Sequence, residues 1–137
     1  MVDALRSAWR VLRRRGLVVD MQPASVYRPR LALVAIGWRR DFGAILRSPD
    51  EGIVAAHRAV RQAVSEGWFT RVVARSGVAR ARYGSIAELD ELLRQNPNWQ
   101  IPPAVRRRIS ATWKERPHGT SIEIRRRFSL NVLRKRS

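Results

Sequence analysis

The feature of this 137-residue chain that most restricts its fold is an alternation near the C-terminus. Ile122, Ile124, Phe128, Leu130 and Val132 share one parity, while Ser121, Glu123, Arg125, Arg127 and Ser129 hold the other. Successive side chains of a strand point to opposite faces, so this segment predicts a long strand with one apolar face, and such a strand needs a sheet. Arg126 breaks the pattern: a guanidinium on the apolar face requires an acidic group, a carbonyl or an exposed sheet end. Residues 68–83 alternate more loosely, as one long strand in which Gly77 marks a candidate bulge.

The remaining segments supply helices to cover such strands. Residues 2–14 read as an amphipathic helix, with Val2, Leu5, Trp9 and Leu12 on one face and Arg6, Arg10, Arg13 and Arg14 over much of the rest. Gly16 ends it, and residues 17–21 follow as a short, buried-looking strand. After a Pro-bounded loop over 22–29, residues 31–36 are apolar on both faces, as in a strand covered on both sides. Arg39, Arg40, Asp41 and Gly43 then interrupt before Ala44-Ile45-Leu46, which predicts a hairpin with a loop of a few residues.

Ser48 is the expected cap of the next helix, Pro49 its first residue and Glu51 the reciprocal partner of a capping box. That helix runs to Glu66 with Ile53, Val60 and Val64 inward, and Gly67 is its left-handed stop. Ser85 and Glu88 form a second capping box before Leu89, Leu92 and Leu93, and Asn96-Pro97-Asn98 closes that helix. Pro102-Pro103 opens another, carrying Val105, Ile109 and Trp113 at i, i+4 and i+8. Pro117-His118-Gly119 turns the chain into the final strand over 120–134.

Length suits a single domain or half-domain over residues 1–137. The absence of cysteine removes disulfides, thiolate zinc sites, iron–sulfur clusters and cysteine nucleophiles together. The longest uncharged apolar run, Leu31 to Trp38, is far short of the roughly 20 residues a spanning helix needs, so the expectation is a cytoplasmic chain with no membrane contact. The Arg-rich N-terminal helix also has the look of a mitochondrial presequence, against which stand Asp3 and the lack of a clear processing site.

Charge is the strongest compositional signal: 28 basic residues against 11 acidic, a formal +17, with only Lys114 and Lys135 not arginine. The guanidinium fork suits phosphate, whereas a coding bias toward Arg and Ala produces the same composition without a task. The excess sits at the two ends, +7 over residues 1–48 and +9 over 101–137, with −2 over 85–100. Nonspecific attraction of polyanions through the summed field and counterion release follows. The candidate contacts for specific nucleic-acid binding are Arg106, Arg107, Arg108, Arg125 and Arg127. The aromatic residues do not form the tight aromatic–basic cluster of a base-stacking platform.

Chemistry-bearing patterns are sparse. His57 and His118 stand 61 positions apart with no paired acids beside them, so no metal site is expected. His57 reads as a packed or half-exposed helix residue and His118 as part of a turn. No serine lies in a nucleophile elbow, and no GxGxxG or GxxxxGK[ST] follows a strand. Glu88, Asp90 and Glu91 are the one compact acidic group, at the start of a capped helix. Catalytic residues stay unassigned.

The opening segment, Asp3-Ala4-Leu5-Arg6-Ser7-Ala8-Trp9-Arg10-Val11-Leu12-Arg13 and then Arg14-Arg15-Gly16-Leu17-Val18-Val19-Asp20, resembles a stretch of class I S-adenosylmethionine-dependent methyltransferases. There a helix ending in Arg-Val-Leu-Arg-Pro-Gly-Gly feeds the fifth strand of a doubly wound sheet. Arg10 to Arg13, Gly16 and the apolar strand match, while Arg14 and Arg15 replace the Pro-Gly. The order of later elements is similar too. The resemblance implies an α/β chain, α+β as a fragment: helix–strand, hairpin insertion, helix, then two long antiparallel strands with two helices between them. In that family the seventh strand inserts beside the fifth, which makes residues 68–83 and 120–134 the last pair.

On this resemblance Met1 falls in the middle of the family's fold. The glycine-rich loop after the first strand and the acidic residue that meets the ribose hydroxyls have no counterpart here, so carrying over the cofactor site residue by residue leaves none. The isolated chain is therefore expected to bind no cofactor, S-adenosylmethionine being implied only by the family, and to be inactive alone. It would act through a homodimer or a complementing chain that carries the cofactor-binding half. The alternatives are a small Arg-rich nucleic-acid-binding protein and an adaptor without chemistry.

Overall fold

The computed structural model describes residues 2–24, 27–48 and 50–137. The elements follow in the order α1 (Val2–Val11), β1 (Leu17–Pro23), β2 (Arg30–Ala35), β3 (Trp38–Ala44), β4 (Leu46–Arg47), α2 (Glu51–Ser65), β5 (Phe69–Tyr83), α3 (Ile86–Gln95), β6 (Trp99–Gln100), α4 (Pro103–Lys114) and β7 (Ser121–Lys135). Among the described residues, four helices and antiparallel sheets make this an α+β chain. It divides into two compact units, each with its own core, and the long strands β5 and β7 contribute a half to each.

The first unit comprises Met1–Val26, Asp50–Gly77 and Arg127–Ser137. Here β1 pairs antiparallel with the second half of β7, from Leu17↔Arg134 to Pro23↔Phe128. The Lys135 N–H donates to Gly16 O (2.8 Å) and the next amide, that of Arg136, to Trp68 O (3.0 Å). Adjacent amides of an extended strand point to opposite edges, so β7 lies between β1 and β5. Val18 and its partner Leu133 face α1 and α2, where Leu5, Ala59, Val60, Ala63 and Phe69 complete the core. The alanines of α2 let that helix lie close to its neighbours.

The second unit comprises Tyr27–Pro49 and Val78–Arg126. In it β2 pairs antiparallel with the first half of β7 (Leu33↔Ile122, Leu31↔Ile124) and with β3. Leu31, Leu33, Ile122 and Ile124 pack against Leu89 and Leu92 of α3 and Ile109 of α4. The short strands β4 and β6 pair through Leu46↔Gln100 and Arg47↔Trp99. Arg126, the exception in the alternation, lays its guanidinium over the Trp99 ring at 4.9 Å.

Several local expectations are corrected. The uniform apolar face of β7 is not uniform in burial: Ile122 and Ile124 are fully buried, but farther along it is Leu133, of the other parity, that is buried, while Phe128, Leu130 and Val132 are only half-covered. The β1 strand is longer than expected and the apolar residues of one face are open: Leu17 is 53 %, Val19 66 % and Met21 67 % exposed. The hairpin turns at Ile36-Gly37, Gly37 adopting φ +68°, and Arg39, Arg40 and Asp41 lie inside β3 rather than in a loop.

At the start of α2 the cap is Asp50, whose carboxylate accepts from the Ile53 N–H (3.2 Å), and not Ser48; Pro49 lies outside the described residues. α1 stops at Val11, and the left-handed residue after it is Arg15 (φ 62°) rather than Gly16. Gly16 is there for space, since a Cβ would stand 2.8 Å from the Arg13 carbonyl oxygen. Gly77 likewise makes no bulge; its missing side chain leaves room for the Phe128 ring, 2.5 Å from where a Cβ would be.

Candidate functional site

The candidate arginines fall into different settings. Arg106 is paired with Asp90 at 2.6 Å. Arg108 lies over the Phe42 ring at 5.8 Å, and Arg107 is exposed on α4. Arg125 stands 3.8 Å from both Asp41 and Glu123. All of these belong to the second unit, whereas Arg127 belongs to the first, where its carbonyl accepts from the Ala24 N–H at 2.9 Å. Ion pairing and ring stacking thus already occupy Arg106, Arg108 and Arg125. Stacking on the chain's own aromatics is general: Arg6 on Trp68, Arg116 on Trp113 and Arg126 on Trp99.

Sequence reading missed the place where opposite charges converge. Glu123, on the polar parity of β7, has a side chain only 4 % exposed. Arg39 reaches it at 3.0 Å, Arg125 at 3.8 Å and Arg82 at 3.9 Å. Arg39 also grips Asp41 with two hydrogen bonds, at 3.1 and 3.2 Å. Those bonds hold the Asp41 carboxyl below its ordinary value of 3.8, burial opposing them, and raise Arg39 above its own. The register that pairs Ala32 with both Glu123 and Asp41 brings these groups together, and nothing in the linear order signals it. Each carboxylate is ion-paired with more than one guanidinium, which makes the cluster a structural tie rather than an acid–base pair.

The second feature lies in the first unit. Leu17, Val19, Met21 and Pro23 stand on the face of the sheet opposite the α1–α2 core, beside their cross-strand partners Arg134, Val132, Leu130 and Phe128. Among the described residues no strand pairs with the outer edge of β1. An apolar sheet face left open beside an unpaired edge is a template for another chain: the edge offers backbone hydrogen bonds and the face offers area to bury.

The remaining candidates are placed plainly. His57 is half-buried, its Nε2 2.9 Å from the Pro23 carbonyl, and His118 is exposed in the turn before β7. Glu88 accepts from the Gly84 N–H at 2.8 Å, Glu91 pairs with Arg94, and Asp90 pairs with Arg106, so the acidic group serves α3. Among the described residues there is no group of three metal-ligating side chains, and no helix is long and apolar enough to cross a membrane. Comparison with protein-family models, with curated proteins and with solved structures found no match to this chain.

Proposed function

We propose that this chain is the second half of a class I methyltransferase-like domain, without catalytic or cofactor-binding residues of its own, and that it works by docking a complementing half that carries the S-adenosylmethionine site. The observation that carries this reading is the open apolar face of β1 and β7 beside the free edge of β1. Support comes also from strand order. β7 lies between β1 and β5 in the first unit, as the seventh strand lies beside the fifth in the family the N-terminal motif resembles. Both helices of that unit cover the same sheet face.

The occupant is a strand-bearing segment, supplied by a longer polypeptide or by a separate chain, that adds to the β1 edge and covers Val19, Met21 and Leu130. A second copy is disfavoured by charge, since two chains of +17 repel. Specific nucleic-acid binding is the weaker reading because Arg106, Arg108 and Arg125 are already engaged.

Two measurements test this. Calorimetry with S-adenosylmethionine on the isolated chain gives no saturable heat; a dissociation constant on the order of micromolar overturns the assignment. Sedimentation with hydrogen exchange gives a monomer whose outward β1 amides exchange freely. A stable dimer that protects those amides makes a second copy the occupant and overturns the complementing half.

A further inference from the structure

Independently of that docking face, the first unit contains a polar pocket on the covered side of its sheet, of about 230 Å³, lined by His57, Val60 and Arg61 of α2, Arg71 of β5, and Ser129 and Asn131 of β7. Asn131 is buried, His57 and Ser129 are half-buried and Arg61 and Arg71 are exposed, so only the first three bear the cost of polar groups placed between a helix and a sheet. Here part of the set is satisfied and part is not. Asp20 accepts from the amides of Gln22 and Asn131, the latter at 2.9 Å, which turns its charge toward those two groups. His57 Nε2 lies 2.9 Å from the Pro23 carbonyl; a carbonyl only accepts, so Nε2 carries the proton. The Ser129 hydroxyl is buried with no hydrogen-bond partner. Neither Arg61 nor Arg71 has a carboxylate or carbonyl partner among the described residues.

We infer that this pocket is a binding site for a phosphate group, as inorganic phosphate or a small phosphate monoester. Two exposed arginines line it, and three or four oxygens on one centre are the acceptors that a pair of guanidinium forks matches. The volume fits this ligand size. It is several times the roughly 30 Å³ that a water occupies in the liquid, and below the approximately 300 Å³ at which pockets for larger organic ligands begin. The head group is held and whatever it is attached to extends outward.

The test is calorimetric titration of the full chain with inorganic phosphate at about 150 mM salt, where exposed charges are screened beyond about 8 Å. The expected result is saturable binding of one phosphate per chain, weakened about tenfold or more by R61Q and by R71Q. R107Q, which removes the same charge from α4, leaves it unchanged. R61K and R71K separate donor geometry from charge: each keeps the charge, loses the fork and still weakens binding. Glycerol phosphate competing as well as inorganic phosphate assigns the site to monoesters, and failure to compete assigns it to the free ion. No saturable binding, equal loss in R107Q and R61Q, or acetate competing as well as phosphate overturns the inference. Circular dichroism of each variant checks the fold, and a variant that unfolds is replaced by R61K or R71K, which keeps the charge and loses the fork. Because the probe is phosphate and not S-adenosylmethionine, either result stands apart from the fate of the docking face.

Discussion

The switch of buried face along β7 makes the sharpest mutational prediction, because the sequence pattern and the structure rank two adjacent residues in opposite order. By alternation Val132 belongs with the core and Leu133 with the polar face. In the structure Leu133 is 0 % exposed, packed with Leu5, Ala59, Val60, Ala63 and Phe69, while Val132 is half-covered on the open face. Leu133→Ala removes a fully buried side chain from a site whose neighbours Ala59 and Ala63 have almost nothing to move into the hole. Cavities that cannot collapse lie toward the upper part of the leucine-to-alanine range, so the expected cost is about 3–4 kcal/mol. Val132→Ala loses two methyl groups already partly in water, at a cost of about 1 kcal/mol.

At this chain length each kcal/mol moves the midpoint by roughly 3–5 °C, so Leu133→Ala lowers Tm by on the order of 10 °C and Val132→Ala by about a third of that. Thermal unfolding followed by far-ultraviolet circular dichroism reads both, and urea titration at 25 °C checks that the m-value is unchanged. A Val132→Ala loss equal to or larger than that of Leu133→Ala would refute the assignment of faces, and with it the open surface on which the docking proposal rests.

Other consequences follow from single contacts. The Asp41 carboxyl is held below its ordinary value by Arg39, so its contribution to stability is present above that ordinary value and is lost as pH falls through the folded-state value; Asp41→Asn lowers stability at neutral pH and flattens the acid limb of a stability–pH curve, and an unchanged limb contradicts the pairing. Gly77→Ala drives a Cβ into the Phe128 ring and destabilises by about 1–2 kcal/mol, whereas the same change in a Phe128→Ala background costs much less, a coupling read by a double-mutant cycle in urea. For polyanion binding, replacing Arg106, Arg107, Arg108, Arg125 and Arg127 by Ser reduces the salt slope no more than replacing Arg13, Arg14, Arg15, Arg58 and Arg75; a larger reduction in the first set, measured by fluorescence anisotropy with duplex DNA, identifies a specific nucleic-acid face.

The helices and long strands were legible in the sequence because they rest on local physics, whereas β3 was read as a loop and the short pair β4–β6 was not read at all. Capping by Ser85, the prolines opening α4, the Gly67 stop and the extended run of β7 act over a few residues and stand in the structure much as read, although the buried face of β7 does not. The charge excess was also plain, but not what it does, since whether an arginine is free or engaged depends on which strand lies beside it. The pairing of Ala32 with Glu123 and Asp41 brings Arg39 and Arg125 onto carboxylates, and no linear spacing encodes that register.

The same holds for the sites. Periodicity reports that one side of a strand is apolar; it does not report which side a helix will cover. The apolar residues of β1 were visible at once, but only the placement of α1 and α2 against Val18 and Leu133 left Leu17, Val19 and Met21 open. His57, Arg61, Arg71 and Ser129 are scattered over 73 positions and come together because α2 lies across a sheet whose central strand is the last in the chain. Local interaction energies chose the elements; burial and hydrogen bonding between distant segments chose the faces.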